Sequence, residues 1–500
     1  MKGAIAAGHP LTAEAGAHVL AAGGNAADAC VAAAFVSWIA ESSLTGPGGG
    51  GFALVHRARE RRTRLLDFFV AVPGAGARGR PIEMESVDVD FEGGESTQTF
   101  LVGASSCAVP GTAAGLEALH RSYGSLPWRE VVAPAVQLAR GGVELTRSQA
   151  YLHAILDAIL RRTEAGREVY GRGAPLVEGD RLVQTDLAAT LERIGERGAR
   201  ELYTGETGRA VAAHVRRGHG LLTRADLEDY RVIRRRPVSA TFRGREFRSN
   251  PPPSSGGVLI AYGLGLLDRR WRGRPGSVDA MAALAETMRD QARARDGEFA
   301  RDLYRGGLAR RLLAGVGARD AVSQTTHISV VDGAGDAVSL SASLGSGSGE
   351  VVPGTGVHLN NMLGEHDLAG TTRVGARLTS MMAPSVVLED GRTRLVVGSA
   401  GSARLRGAIM QVVANVVGHG LPVQEAVEAP RVHLDDGSLH CEGGADPAAV
   451  DALEELGWDV VRWRQRNLYF GGAAAVETRE DGSLAAAGDP RRGGAAVVVE

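Results

Sequence analysis

The chain has 500 residues, with 56 basic and 58 acidic side chains and a net charge of −2, so it carries no electrostatic footprint for nucleic acid or an anionic membrane. Its single lysine, Lys2, excludes Schiff-base pyridoxal chemistry, a phosphate-loop lysine and a Ser/Lys dyad from the rest of the sequence. The length suits one large domain or two to three ordinary ones.

The N-terminus, MKGAIAAGHPLTAEAG, has one positive charge and an apolar run too short for a signal peptide, which predicts a cytoplasmic protein. LTAEAGAHVLAAGG (11 to 24) reads as a helix closing on a glycine pair. The apolar stretch 26 to 40 follows as a core helix; it carries Asp28 and is too short to span a bilayer. TGPGGGGF (45 to 52) lacks the GK[ST] of a nucleotide cradle and predicts a tight backbone approach instead. Strands are expected at 51 to 56 and 63 to 69, and helices near 112 to 122, 129 to 140, 147 to 162, 186 to 197 and 278 to 297.

From 325 the pattern changes to strands, at 326 to 331, 337 to 343, 356 to 360, 385 to 389 and 394 to 398, the last two joined at Asp390 and Gly391. Helices at 403 to 418 and 447 to 456 and a terminal hairpin turning at Asp481 and Gly482 complete the chain. Paired strands and paired helices without a linker predict two stacked sheets covered by helices in one interlocked domain. Cys30, Cys107 and Cys441 show no staple or zinc spacing, as fits a reducing compartment. His433, His440 and Cys441 come nearest to a metal cluster, but no HExxH accompanies them, and neither a metal nor a cofactor is expected.

The segment SQTTHISVVDGAGDAVSLSAS, 323 to 343, allows two readings of its threonines. They can simply open a strand, since Thr, Ile and Val are ordinary strand formers. Alternatively, one of them attacks something. A threonine hydroxyl is a poor nucleophile unless a base takes its proton, and no recognisable His and Asp motif offers one. Were Thr325 the first residue of its chain, its own α-amine, of reference pKa ~7.7 to 8.0, would serve as the base. That requires a cut between Gln324 and Thr325.

Eight blocks between residues 9 and 405 carry a resemblance that bears on this choice. They are HPLTAEAGAHVLAAGGNAADACVAAA, SLTGPGGGGFALVH, AVPGTAAGLEALHRSYGSLPWREVVAPAVQLA, GLLTRADLEDYRVIRRRPVSATFRG, PPPSSGGVL, TTHISVVDGAGDAVSLSAS, VVPGTGVHLNN and MMAPSVVLEDGRTRLVVGSAGSARL. The chain resembles the γ-glutamyltranspeptidase family of self-cleaving N-terminal-nucleophile hydrolases. The resemblance implies an α+β fold, a four-layer αββα sandwich. It also implies a mostly helical portion 1–324 and a portion 325–500 that begins with the nucleophile, together forming one interlocked domain. Thr325 is then the nucleophile, and Gln324 and Thr325 flank the autocleavage site. Ser343 supplies the hydroxyl that supports Thr325, and the backbone N–H groups of Gly401 and Ser402 hold the oxyanion. The mature protein would be a heterodimer of its own two fragments, with further dimerisation left open, acting on a small-molecule amide or peptide-like substrate.

Several substrate anchors depart from the family. Its LDFRE reads LDFFV, so Phe69 replaces the arginine that clamps the substrate α-carboxylate, and a phenyl ring makes no bidentate contact. A family asparagine aligns with Gly345, and the Asp pair that binds the substrate amine becomes Gly364 and Glu365. The Ser pair becomes Thr379 and Ser380, which keeps both hydroxyls, while the segment from Glu365 to Arg377 is shorter. The expectation is a threonine hydrolase or acyltransferase whose substrate is not a usual γ-glutamyl compound. Two alternatives are a C–C bond hydrolase of a specialised biosynthetic pathway and a non-catalytic binding or scaffold protein.

Overall fold

Strand Thr326–Asp332 reads THISVVD and is buried on both faces. Alternation sends Ile328 and Val330 toward a helix pair, Pro10–Ala21 and Ala26–Ala40, and Val331 toward a second sheet, with His327 and Ser329 on the same side. The strand sits inside a seven-stranded antiparallel sheet. In order, the strands are Ala495–Val499, Gly3–Ala7, Thr326–Asp332, Ala337–Ser343, Gly50–Arg57, Arg62–Phe68 and Ile233–Arg235. The computed structural model describes residues 2–77, 81–91, 96–295, 299–304, 308, 325–365, 373–401 and 404–500.

The second sheet has six antiparallel strands, ordered Leu484–Gly488, Gly472–Thr478, Arg392–Ala400, Ser385–Glu389, Arg245–Ser249 and Val238–Phe242. Helices Gly256–Arg270 and Arg404–Val413 cover its far side and share its core. The result is the expected four-layer αββα sandwich. Polar contacts cross between the sheets: the Ser329 hydroxyl donates to Ala474 O at 3.0 Å, and Ser339 Oγ accepts from Ser385 N at 2.9 Å. Small hydroxyl side chains let the sheets approach while satisfying backbone groups that burial would otherwise strand.

Segments from both sides of position 325 interleave, because the Thr326 strand lies between Gly3–Ala7 and Ala337–Ser343. The glycine-rich turn is a close backbone approach, as its composition predicts: a Cβ on Gly49 would stand 2.4 Å from Ser343 O. Some elements differ from expectation. The strand at 356 to 360 shrinks to Val357–His358, and the helix at 147 to 162 breaks at Leu156. The helix at 403 to 418 is α-helical over Arg404–Val413 and continues as a π turn, Ala414–Gly418.

Periodicity alone did not reveal Gly3–Ala7, Ala495–Val499 or helix Gly256–Arg270. Gly3–Ala7 is buried on both faces and Ala495–Val499 is an all-apolar edge strand, half-buried apart from exposed Val498, so neither sequence alternates between apolar and polar residues, and the helix is buried nearly all round, so it lacks a polar stripe. Cys30, Cys107 and Cys441 are buried free thiols. His433 pairs across a hairpin with His440, whose Nδ1 accepts from Trp463 Nε1 at 3.1 Å. Among the described residues no group of three or more His, Cys, Asp or Glu is placed to hold a metal ion, and no helix is long and apolar enough to cross a membrane.

Candidate active site

Thr325 is buried immediately before the central strand. The strand register pairs His327 with Ser341 and Thr326 with Ala342, so one further step brings Thr325 opposite Ser343. Residues directly opposite in an antiparallel pair share a face. Thr325 and Ser343 therefore lie on the side of His327, between the sheets. Ser343 closes its strand opposite Gly50, and its Oγ accepts from Gly345 N at 2.8 Å.

The second sheet contributes the end of strand Arg392–Ala400. Ala400 lines a cavity of about 20 Å³ together with Thr325, Glu41, Asp489 and Arg492. Gly401 follows in a left-handed conformation, φ +116°, with Gly471 Cα 2.8 Å from where a Cβ would stand. Glycine is thus required there on two grounds. The Gly401 carbonyl accepts from Arg404 N at 3.2 Å as the next helix begins. Ser402 and Gln324 lie outside the described residues.

The groups around Thr325 differ sharply in their charge. His327 is held between serines, with Nδ1 at 2.8 Å from Ser341 Oγ and Nε2 at 3.0 Å from Ser329 Oγ. Burial pulls its pKa down to about 3, so the ring is neutral. Glu41, just after helix Ala26–Ala40, accepts from the hydroxyls of Thr326 and, at 2.8 Å, Thr12. Burial pushes its pKa up to about 7 against the opposing pull of those hydroxyls and of Arg492. The Arg492 guanidinium is itself drawn down to about 10, first by burial and then by Arg404. Its Nε and Nη1 are buried with no hydrogen-bond partner among the described residues. Sequence reasoning missed both residues. Glu41 showed only as a lone acid abutting an apolar helix, and Arg492 as part of an Arg pair that resembles a solvated turn.

The anticipated substrate positions are distributed as follows. Phe69 is fully buried in the core between the sheets and stacks on Phe52, with centroids 5.4 Å apart and 21° between planes. Its N–H donates to Asp67 at 3.0 Å, and its carbonyl accepts from Tyr230 Oη at 2.8 Å. Asp67 is in turn held by Arg235 at 2.7 Å and Arg377 at 3.3 Å, and the Arg377 guanidinium lies 4.4 Å over the Tyr230 ring. Arg377 was another residue that sequence reasoning passed over, because nothing in its neighbourhood signals a partner so distant in the chain.

Gly345 could carry no side chain, since a Cβ would meet Asn361 Oδ1 at 2.1 Å and Glu365 Oε1 at 2.9 Å. Glu365 is thereby placed beside Gly345, and it is buried. Gly364 packs on Leu101. The Thr379 hydroxyl is buried with no hydrogen-bond partner among the described residues, whereas Ser380 Oγ accepts from Met382 N at 3.1 Å. The Ser380 carbonyl receives the Ser254 and Ser255 hydroxyls at 2.8 and 3.0 Å, which ties the PPPSSGG segment to this strand entry.

Comparison with known proteins identifies the family. The family model "Gamma-glutamyltranspeptidase" matches residues 12–499. An acylase ACY 1 proenzyme of Pseudomonas sp. (strain SE83) is 34% identical over 532 aligned positions, covering 100% of this chain and 94% of that protein. A glutathione hydrolase proenzyme of Escherichia coli (strain K12) is 32% identical and covers 98% of this chain and 90% of its own. In fold, the chain is similar to a cephalosporin acylase from Bacillus halodurans, with a TM-score of 0.84 at 24% identity over 100% of this chain and 96% of that one. A sandwich with a threonine at the head of its central strand, matched from end to end by such relatives, places this chain in the γ-glutamyltranspeptidase family of self-processing hydrolases and acyltransferases.

Proposed function

We propose that Thr325 is the nucleophile of an acylase that cuts itself between Gln324 and Thr325 and then hydrolyses amides whose acyl group lacks the amino-acid head group of γ-glutamate. In the cut, the Thr325 hydroxyl adds to the Gln324 carbonyl carbon, the peptide nitrogen leaves as the new α-amine, and water hydrolyses the resulting ester. In turnover that amine takes the hydroxyl proton as Oγ1 attacks the substrate carbonyl, then gives it to the departing amine. Water or a second amine releases the acyl group. Ser343 holds the nucleophile's hydroxyl, and the N–H groups at Gly401 and Ser402 receive the developing oxyanion. The two fragments, 1–324 and 325–500, stay associated through the interleaved strands.

The observation that carries the substrate assignment is the burial of Phe69 in a stacked aromatic pair, where the family keeps a carboxylate-binding arginine. Naming of one relative as an acylase supports the same reading. The test is a panel of p-nitroanilides. Glutaryl and phenylacetyl anilides should exceed the γ-glutamyl anilide in kcat/KM by at least roughly tenfold, the lower end of what one charge-assisted contact of ~1.5–3 kcal/mol contributes. Preference for the γ-glutamyl compound would overturn the assignment.

The base is tested separately. Because His327 is neutral and committed to serines, His327→Ala should lower the rate through lost packing and leave the rising limb of the kcat/KM profile at the wild-type pH. Loss of that limb in the variant would make His327 the base and end the α-amine mechanism.

A further inference from the structure

Glu41 is 1% exposed, and both of its oxygens are occupied by hydroxyl donors, Thr12 from helix Pro10–Ala21 and Thr326 from the central strand. Thr326 is the residue next to the nucleophile, so the carboxyl group is tied to the backbone that places Thr325. A purely structural clamp would not need a carboxyl here. An amide would bridge two hydroxyls without the cost of a buried ionisable group. A carboxyl is advantageous where an opposing charge arrives, and self-cleavage creates one, the Thr325 α-ammonium.

The other charges facing Glu41 have been narrowed by their own partners. Asp489 is committed to Arg431 at 2.6 Å, Arg491 at 3.1 Å and Ala473 N at 2.9 Å. His9, at the start of helix Pro10–Ala21, is kept neutral by burial at a pKa of about 4. His327 is neutral on the opposite face of the strand. Arg404 lies beyond Arg492, with its Nε on Tyr469 O at 3.1 Å. Arg492 remains: it lines the Thr325 cavity, and two of its nitrogens, Nε and Nη1, have no partner among the described residues.

We propose that Glu41 and Arg492 are opposed positioning residues that set the proton affinity of the Thr325 α-amine, Glu41 raising it and Arg492 lowering it, with Thr326 fixing the Glu41 carboxyl in place. The proposal rests on the reading of Thr325 as a self-exposed nucleophile. Before the cut, the Thr325 nitrogen is an uncharged amide, and burial favours the protonated form of Glu41. After the cut, an ammonium shifts Glu41 toward the carboxylate, with any proton it gives up passing to solvent. The carboxylate then stabilises the ammonium, and the Arg492 cation destabilises it.

Two readouts on the self-cleaved full-length protein test this. One is the pH profile of kcat/KM on glutaryl p-nitroanilide. The other, which needs no turnover, is the pH dependence of acetylation of the Thr325 α-amine by acetic anhydride, followed by the mass of the fragment's N-terminal peptide. Glu41→Gln should move the rising limb to lower pH and Arg492→Gln to higher pH, each by about half a unit or more, since an adjacent charge shifts a pKa by roughly one to three units. Limbs within about 0.2 of wild type, or moving in the same direction in both variants, would overturn the proposal whatever happens to the rate. Should Glu41→Gln fail to fold or cut, Arg492→Gln decides alone: an upward shift supports the proposal and an unmoved limb overturns it. A wild-type chain without a Thr325 amine to acetylate would instead refute the self-cleavage reading beneath it.

Discussion

Thr325→Ala should remain a single 52.1 kDa chain and show no amide hydrolysis, while the wild type should separate on denaturing gels into fragments 1–324 and 325–500. Both reactions require the same oxygen, first on the Gln324 carbonyl and then on the substrate, so one substitution removes both. Loss of a nucleophilic hydroxyl costs on the order of 10⁶ in kcat where it has been measured in a hydrolase. Stability should change little, because the variant keeps the strand register and removes only a hydroxyl and a methyl at the strand's entry. Thr325→Ser, which keeps the hydroxyl, should still cut. Intact mass spectrometry of freshly purified wild type decides the matter: one persistent chain would leave the non-catalytic alternative standing.

Phe69→Arg should destabilise the protein and fail to create γ-glutamyl activity. The ring is fully buried against Phe52, and the nearest acid, Asp67, is already held by Arg235 and Arg377. A guanidinium at this position would be a buried charge without a free partner, which costs about 3–5 kcal/mol when a buried pair is broken and at least comparably when no partner exists. Substrate binding would also find Gly345 and Gly364 where the family presents an asparagine and an aspartate. Equilibrium urea unfolding should show a lower midpoint with a similar slope, and γ-glutamyl p-nitroanilide turnover should not rise. A stable variant with a tenfold gain in that turnover would show that position 69 alone had set the specificity.

The two variants separate the proposed machinery from the proposed pocket. Thr325, Ser343 and Gly401 occupy backbone-defined places: the head of a central strand, its cross-strand neighbour and the turn that ends the facing sheet. Phe69 packs against Phe52 and Gly345 lies beside Glu365, at positions where the sequence departs from the charged anchors of the family. Reaction chemistry can be retained while recognition changes, because the first depends on strand register and turn geometry and the second on side chains that project from them.

What the sequence determined by itself was local or carried in contiguous motifs. The TTH triplet leading into an alternating strand, the hairpin at Asp390 and Gly391 and the crowded glycines at 45 to 52 were legible because turn chemistry and alternation act over a few residues. The head-group substitution at Phe69 was legible as a motif change, though not as a stacked partner of Phe52. Tertiary structure alone decided that Gly3–Ala7 is the strand beside Thr326–Asp332, that Arg377 reaches Asp67, and that Glu41 and Arg492 meet at one cavity although 451 positions separate them in the chain. No local pattern encodes such meetings, since a buried charge is defined by what surrounds it, and here the surroundings come from both ends of the chain folded into one sheet.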